Sequence, residues 1–147
     1  MRDIVIIDGV RSPIGKFGSA LSGVRPDDLL AEVYRSFMAR TGVDLALLED
    51  GYAGCGNQAG EDNRDVARMA VLLAGFPKEV PGATVSRNCS SALEAVNQAT
   101  KAIIAGEGKI YIGSGAESMS RAAPSRHKTA IWRCTAPTTS FGGGSAS

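Results

Sequence analysis

The sequence predicts an α/β fold layered around a largely parallel sheet, and three observations carry that expectation. Short apolar runs of strand length alternate with longer segments whose apolar residues recur at helical spacing. Glycine supplies 18 of 147 residues, well above the usual share of roughly 7%, as tight turns and close backbone approaches require. Hydrophobic residues make up 44% and charged residues 21%, a globular balance that argues against a disordered or fibrous chain. A length of 147 residues suits one compact core and not a two-domain enzyme.

The elements follow in chain order. Ile4, Val5, Ile6 and Ile7 form a continuous apolar run between Asp3 and Asp8, the pattern of a strand covered on both faces. After a Gly/Ser/Pro-rich loop, Pro26 and Asp27 open a helix whose apolar face is Leu29, Leu30, Val33, Tyr34, Phe37 and Met38, with Gly42 as its stop. Gly51 to Cys55 is a second, weaker strand candidate. Val66, Met69, Ala70 and Leu73 mark a second helix closed by Gly75 and Pro77. Ala83 to Ser86 reads as a third strand, followed by a helix from about Cys89 to Ala105 with an apolar stripe of Leu93, Val96, Ile103 and Ile104 and a stop at Gly106. Lys109 to Ile112 reads as a fourth strand, entering the small-residue run Gly113, Ser114, Gly115, Ala116.

Composition changes after Pro124. Residues 125–147 hold the only His, the only Trp, Cys134 and the cations Arg126, Lys128 and Arg133, with no acidic residue. Ile131 is their one large aliphatic residue, and Gly142 to Ser147 reads as a flexible linker. A domain over 1–124 and an atypical flexible tail over 125–147 are therefore expected.

A formal net charge of +1 gives no field to attract phosphate backbones or anionic lipid, which argues against nucleic-acid and membrane partners. The apolar run near the start is too short for a signal-peptide core or a membrane span, so a cytoplasmic protein is expected. Cys55, Cys89 and Cys134 are an odd count without C-x-x-C spacing, which indicates neither a disulfide framework nor a zinc site.

The most informative stretch is Val85-Ser86-Arg87-Asn88-Cys89-Ser90-Ser91-Ala92-Leu93. It puts Cys89 where a strand hands over to a helix N-terminus, whose macrodipole and unpaired N–H groups stabilise a thiolate and can receive an oxyanion. One turn thus supplies two needs of acyl transfer. The alternative is that Cys89 is a small buried core residue, the common fate of a free cysteine.

Other candidates carry weaker signals. His127 and Cys134 are too few ligands for a closed metal site, and a solvated tail explains them. Gly113-x-Gly115 after a strand resembles the start of a dinucleotide loop but lacks its third glycine and helix. Close backbone packing at the sheet end is the simpler reading. Asp62, Arg64, Asp65 and Arg68 read as a solvated charged face with i,i+3 and i,i+4 pairs, and Glu117 as a structural hydrogen-bond acceptor.

The stretch around Cys89 resembles the acyl-enzyme signature of the thiolase family: an aliphatic residue, a small polar one, any two, Cys, then small residues, with Leu93, Ala95, Val96 and Ile103 on the remaining defined positions. Asp8-Gly-Val-Arg-Ser-Pro-Ile-Gly-Lys-Phe-Gly18 is similar to the family's opening strand and loop. Gly54-Cys-Gly-Asn-Gln-Ala-Gly-Glu-Asp-Asn-Arg64 resembles its second strand and helix start, in the version found in acetyl-CoA and 3-oxoadipyl-CoA thiolases. Gly113-Ser-Gly-Ala-Glu-Ser-Met-Ser-Arg121 is similar to a fourth-strand segment that usually reads Gly-Gly-x-Glu-Ser-Met-Ser. The resemblance runs from about residue 2 to residue 124.

It implies a thiolase N-terminal half-domain, layered α-β-α, with a mixed, mainly parallel and incomplete sheet. It also implies Cys89 as the nucleophile, acylated by a coenzyme A thioester, with its own N–H as an oxyanion donor. The substrates would be acyl-CoA or 3-ketoacyl-CoA, with no bound cofactor and no metal. The family's other catalytic groups, a Gly-His-Pro histidine, an Asn-containing loop and a Cys-x-Gly-Gly-Gly cysteine, belong to its second half. Ser140-Phe-Gly-Gly-Gly144 imitates the last of these with Ser for Cys, but no strand or core surrounds it, and a plain Gly/Ser tail is the expectation.

The opposing readings are a truncated, inactive fragment, a dimerisation fragment keeping the family's third strand, and a related decarboxylating condensing enzyme. Incompleteness would leave apolar faces uncovered, so a homo-oligomer or aggregate is expected.

Overall fold

The computed structural model describes residues 3–58 and 65–122. Asp62, Arg64, His127, Cys134, the Ser140 to Gly144 stretch and the tail expected over 125–147 lie outside the described residues.

The elements run α1 (Pro26–Thr41), a short 3-10 turn (Leu45–Leu47), β1 (Asp50–Gly54), α2 (Val66–Leu73), β2 (Gly82–Val85), α3 (Ser91–Ala105) and β3 (Tyr111–Gly115). The helix stops act as their chemistry requires: Gly42, Gly75 and Gly106 all take positive φ, and the Gly42 N–H donates to the Met38 carbonyl. The strands form one sheet of order β2-β1-β3, and all described pairings are parallel. β3 begins two residues later than its apolar run suggests, because pairing starts at Tyr111 opposite Asp50.

Both crossovers are helical, β1 to β2 through α2 and β2 back across β1 to β3 through α3, so right-handed connections put the two helices on opposite faces. Strand alternation agrees. A Cβ on Gly51 would meet Val71 of α2 at 3.1 Å, whereas one on Gly113 would meet Val96 of α3 at 2.9 Å. α1 packs beside α2, which completes the α-β-α layering. The main core lies on that side, built from Leu30 and Tyr34 of α1, Val66, Ala67, Ala70 and Val71 of α2, Ala53 and Cys55 from β1 and its end, and Phe76 and Val80. Tyr34 stacks on Phe76 with ring centroids 5.6 Å apart, and its hydroxyl lies 2.6 Å from Ser114 Oγ. Burial pushes the Tyr34 phenol up to about 12.

Three expectations need correction. Ile4 to Ile7 is not a buried parallel strand. It runs without a ladder partner among the described residues, and Val5, Ile6 and Ile7 are exposed. The reason is a missing neighbour: between this segment and β3 lies a cavity of about 500 Å³, walled by α1 and α3, and a strand without a partner leaves its backbone to water. The Asp8 carboxylate holds the segment to α1 through Arg40 Nε at 3.0 Å.

The stripe assigned to α3 is also displaced. Leu93 and Ile104 are exposed, and the buried face is Ser91, Ala95, Ala99 and Ala102. Glycines on the facing strands bring helix and sheet backbones so close that only small residues fit between them. Finally, Asp65 and Arg68 are not a solvated pair. The Asp65 carboxylate caps α2 by accepting the Arg68 N–H (3.1 Å) and also accepts the Thr84 hydroxyl (2.8 Å), while the Arg68 guanidinium donates to the carbonyls of Lys78 and Val80.

Candidate functional site

All three strands end on the same side, as parallel strands must, and their C-terminal ends carry the residues singled out for chemistry. Cys55 and Gly56 follow β1, the turn from Ser86 to Ser90 joins β2 to α3, and Ala116 and Glu117 follow β3. Backbone bonds continue the pairing past the strand ends: the Cys55 N–H donates to the Val85 carbonyl (3.1 Å) and the Ala116 N–H to the Gly54 carbonyl (3.0 Å).

Cys89 lies in the β2-to-α3 turn, two residues before the helix begins, and is exposed, whereas Cys55 is buried at 1% exposure. The reading of Cys89 as a small core residue therefore fails, and Cys55 takes that part. The turn is compact. The Ser90 N–H donates to the Arg87 carbonyl and the Ser91 N–H to the Asn88 carbonyl, both at 3.1 Å. Asn88 sits at φ 51°, the one non-glycine residue with positive φ among those described, a conformation that asparagine tolerates better than most side chains. The Cys89 N–H donates no backbone hydrogen bond among the described residues.

The floor of the turn is glycine. A Cβ on Gly54 would fall 2.2 Å from Ala92 N and from the Ser91 carbonyl carbon, and one on Gly115 would fall 2.6 Å from Ala92 Cβ. No side chain fits at either place, so the start of α3 rests directly on the strand ends. Gly113-x-Gly115 thus belongs to helix-sheet packing and not to a dinucleotide loop.

Glu117 accepts the Gly56 N–H at 2.7 Å, the structural role expected of it. A Cβ on Gly56 would sit 3.2 Å from that carboxylate and 3.5 Å from the Asn88 carbonyl, so Gly56 fills the gap between Glu117 and the cysteine turn. On the outer side, Arg87 pairs with Glu94 at 2.5 Å, and Lys101 approaches the same carboxylate at 3.4 Å. The hydrogen bond from Arg87, with Lys101 behind it, holds the Glu94 carboxyl below its ordinary range, and an anion in the first turn of α3 also suits the helix dipole. Among the described residues no group of His, Cys, Asp and Glu could hold a metal ion.

Sequence reading did not single out Ser91, Asn88 or Gly54. In the sequence Ser91 is only a small residue after the cysteine, Asn88 carries the one local hint in its tolerance of left-handed backbone, and the need for glycine at 54 depends on a helix that begins at Ser91, far along the chain.

Comparison with known proteins gives a consistent picture. The family described as "Thiolase, N-terminal domain" matches residues 4–144. A beta-ketoadipyl-CoA thiolase of Escherichia coli is 54% identical over 123 residues, 83% of this chain and 31% of the relative. The steroid 3-ketoacyl-CoA thiolase FadA6 of Mycobacterium tuberculosis is 39% identical over 121 residues, 82% of this chain and 30% of the relative. The crystal structure of the Bacillus anthracis acetyl-CoA acetyltransferase superposes with a TM-score of 0.73 at 37% identity, covering 81% of this chain and 30% of that one. The chain thus spans about 30% of the length of the proteins it matches.

Proposed function

The chain belongs to the thiolase family, and on that premise we propose that it provides the acyl-accepting half of a thiolase site, with Cys89 as nucleophile toward a coenzyme A thioester. The single observation that carries this reading is the exposed thiol in the turn before α3.

In the proposed step the Cys89 thiolate attacks the thioester carbonyl. The oxyanion that forms is received by N–H groups of the turn, the Cys89 N–H among them. A carbon–sulfur bond to the enzyme forms, the bond to coenzyme A breaks, and the departing thiolate takes a proton from solvent or an acid. Passing the acyl group to a thioester carbanion gives condensation to a 3-ketoacyl-CoA; in the reverse direction the thiolate attacks the 3-keto carbonyl, the C2–C3 bond breaks, the departing acetyl-CoA carbanion takes a proton, and free coenzyme A then takes the acyl group from Cys89, which completes thiolysis. The substrates are soluble thioesters, which fits a cytoplasmic protein, and no helix among the described residues is long and apolar enough to cross a membrane.

Turnover needs more than this chain carries. A base for the thiol, an acid/base for the second substrate and a second set of oxyanion donors are each worth about 10² to 10⁴-fold, and the Gly-His-Pro and Cys-x-Gly-Gly-Gly motifs that the resemblance associates with them are absent from the sequence. The chain alone is therefore expected to accept an acyl group once and slowly. Intact-mass measurement after incubation with acetyl-CoA, beside a steady-state thiolysis assay with acetoacetyl-CoA and coenzyme A, tests this: wild type is expected to gain one acetyl group from acetyl-CoA that Cys89→Ala lacks, and to show no turnover. Absence of that adduct overturns the assignment of Cys89. Multiple turnovers that vanish in Cys89→Ala overturn the single-acylation reading.

A further inference from the structure

We infer that Ser91 is the positioning residue for the Cys89 thiol, an inference that rests on the thiolase reading above. Ser91 opens α3 and is 4% exposed. Its Oγ accepts the Arg87 N–H at 2.7 Å and donates its own proton to the Asn88 carbonyl at 2.6 Å. The hydroxyl therefore closes the turn from the inside, tying both residues that precede Cys89 to the first residue of the helix that follows it. Cys89 itself lies outside this ring, exposed, and its N–H donates no backbone hydrogen bond among the described residues.

This lock answers a specific difficulty. Asn88 holds a left-handed conformation, which persists only where surrounding contacts over-determine it. The Asn88 carbonyl takes two hydrogen bonds, from the Ser91 N–H and the Ser91 hydroxyl. The helix N–H alone would leave the Arg87 amide without an acceptor and the turn free to relax toward ordinary backbone. Because Gly54 lies directly beneath the Ser91 backbone, the residue that carries the hydroxyl is held against the strand end, and the sulfur inherits its direction from that anchor.

The test separates direction from mere exposure. Acylation by acetyl-CoA needs the thiol aligned with its oxyanion donors, while alkylation by iodoacetamide needs only a reachable thiol. Ser91→Ala is expected to lower the acylation rate of Cys89 by about tenfold to a hundredfold, the scale of a misplacement near 1 Å, and to leave alkylation within about twofold. Ser91→Thr, which keeps the hydroxyl, is expected to restore acylation, and Ser91→Val, equal in shape but without it, is not. This pair decides the matter if Ser91→Ala does not fold. Equal acylation of the Thr and Val variants, or equal losses in acylation and alkylation, overturns the inference while leaving the role of Cys89 standing. If wild-type Cys89 takes no acetyl group, the thiolase reading fails, and amide exchange at Arg87 decides about Ser91: faster exchange in Ser91→Val with α3 still protected supports the lock, and unchanged exchange overturns it.

Discussion

The β2 edge and the β3 edge of the sheet draw on the same kinds of residue and end up in opposite conditions. Beside β2, Val66, Ala67, Ala70 and Val71 are sealed from water, and a Cβ on Gly82 would fall 2.7 Å from the Arg68 backbone. Beyond β3, Val5, Ile6 and Ile7 are exposed by 74%, 84% and 73% and face a cavity of about 500 Å³. Apolar character is at least as strong in the second group. What differs is the neighbour: α2 crosses directly onto β1 and β2, whereas none of the described residues pairs with the outer side of β3. Hydrophobicity makes a residue suited to burial, and only a paired strand or a packed helix buries it.

The largest expected contrast comes from adding volume on each side. Gly82→Val drives a side chain into the α2 backbone and should cost more than about 3 kcal/mol, enough to prevent folding of a marginal domain. Gly9→Val, where nothing lies within 4 Å, should stay within about 0.5 kcal/mol. Urea denaturation of both variants reads the difference, and equal midpoints would remove the distinction between the edges.

Removing volume gives the next contrast. Val71→Ala should cost about 2 kcal/mol from lost methyl burial and the cavity left behind, and Ile6→Ala within about 0.5 kcal/mol. The exposed run is also expected to drive self-association. Light scattering at micromolar concentration should find dimers or larger species in wild type and a shift toward monomer in Ile6→Lys. A monomeric wild type would overturn that expectation.

A smaller effect lies at the centre, where Tyr34 joins α1 to β3. Tyr34→Phe should cost about 1 kcal/mol, since Ser114 Oγ keeps a second bond to the Tyr52 carbonyl. The phenol is raised in the folded state to about 12 from an ordinary 10, so the native chain retains the proton longer than the unfolded one. Its contribution is complete below pH 10 and is lost as pH rises toward 12. Tyr34→Phe should flatten that alkaline limb.

The smallest effect is expected at Asp27. Burial opposes its charge, but the hydrogen bonds and charge of Arg25, at 2.6 and 2.9 Å, together with the Asp28 N–H, hold the carboxyl below its ordinary range. Stability from this group is present above the usual carboxylate range and is lost as pH falls through the lowered value. Asp27→Asn should flatten the acid limb by under about 1 kcal/mol, because Arg25 is partly exposed.

Where local chemistry decides, the sequence was legible. The periodic face of α1, the existence of α2, the glycine stops and the strand-to-helix turn around Cys89 all follow from residues within a few positions of one another, although α2 buries Ala67 and Val71 beside Val66 and Ala70 and leaves Leu73 exposed. Where a distant partner decides, it was not. Ile4 to Ile7 has the composition of a core strand, but its burial depends on a neighbour outside the segment. Leu93 and Ile104 mark an apolar stripe, yet glycines at 54, 113 and 115 give the close contact to alanines instead. Asp65 and Arg68 look like surface charges until the chain folds back and presents Thr84 and the carbonyls of Lys78 and Val80. Ser91 is anonymous in the sequence because its significance lies in two backbone groups that only the folded turn brings within reach.

The bare floor under the turn has a genetic consequence. Any change in the first or second base of a glycine codon replaces the hydrogen with a side chain or ends the chain, and at Gly54 even the smallest replacement meets the backbone of α3 at 2.2 Å. Inheritance of this turn therefore hangs on codons for residues that carry no functional group at all. A screen of variants for loss of the proposed Cys89 acylation should recover Gly54 and Gly115 as readily as the cysteine itself, and the lesions there should have no silent neighbours among single-base missense changes.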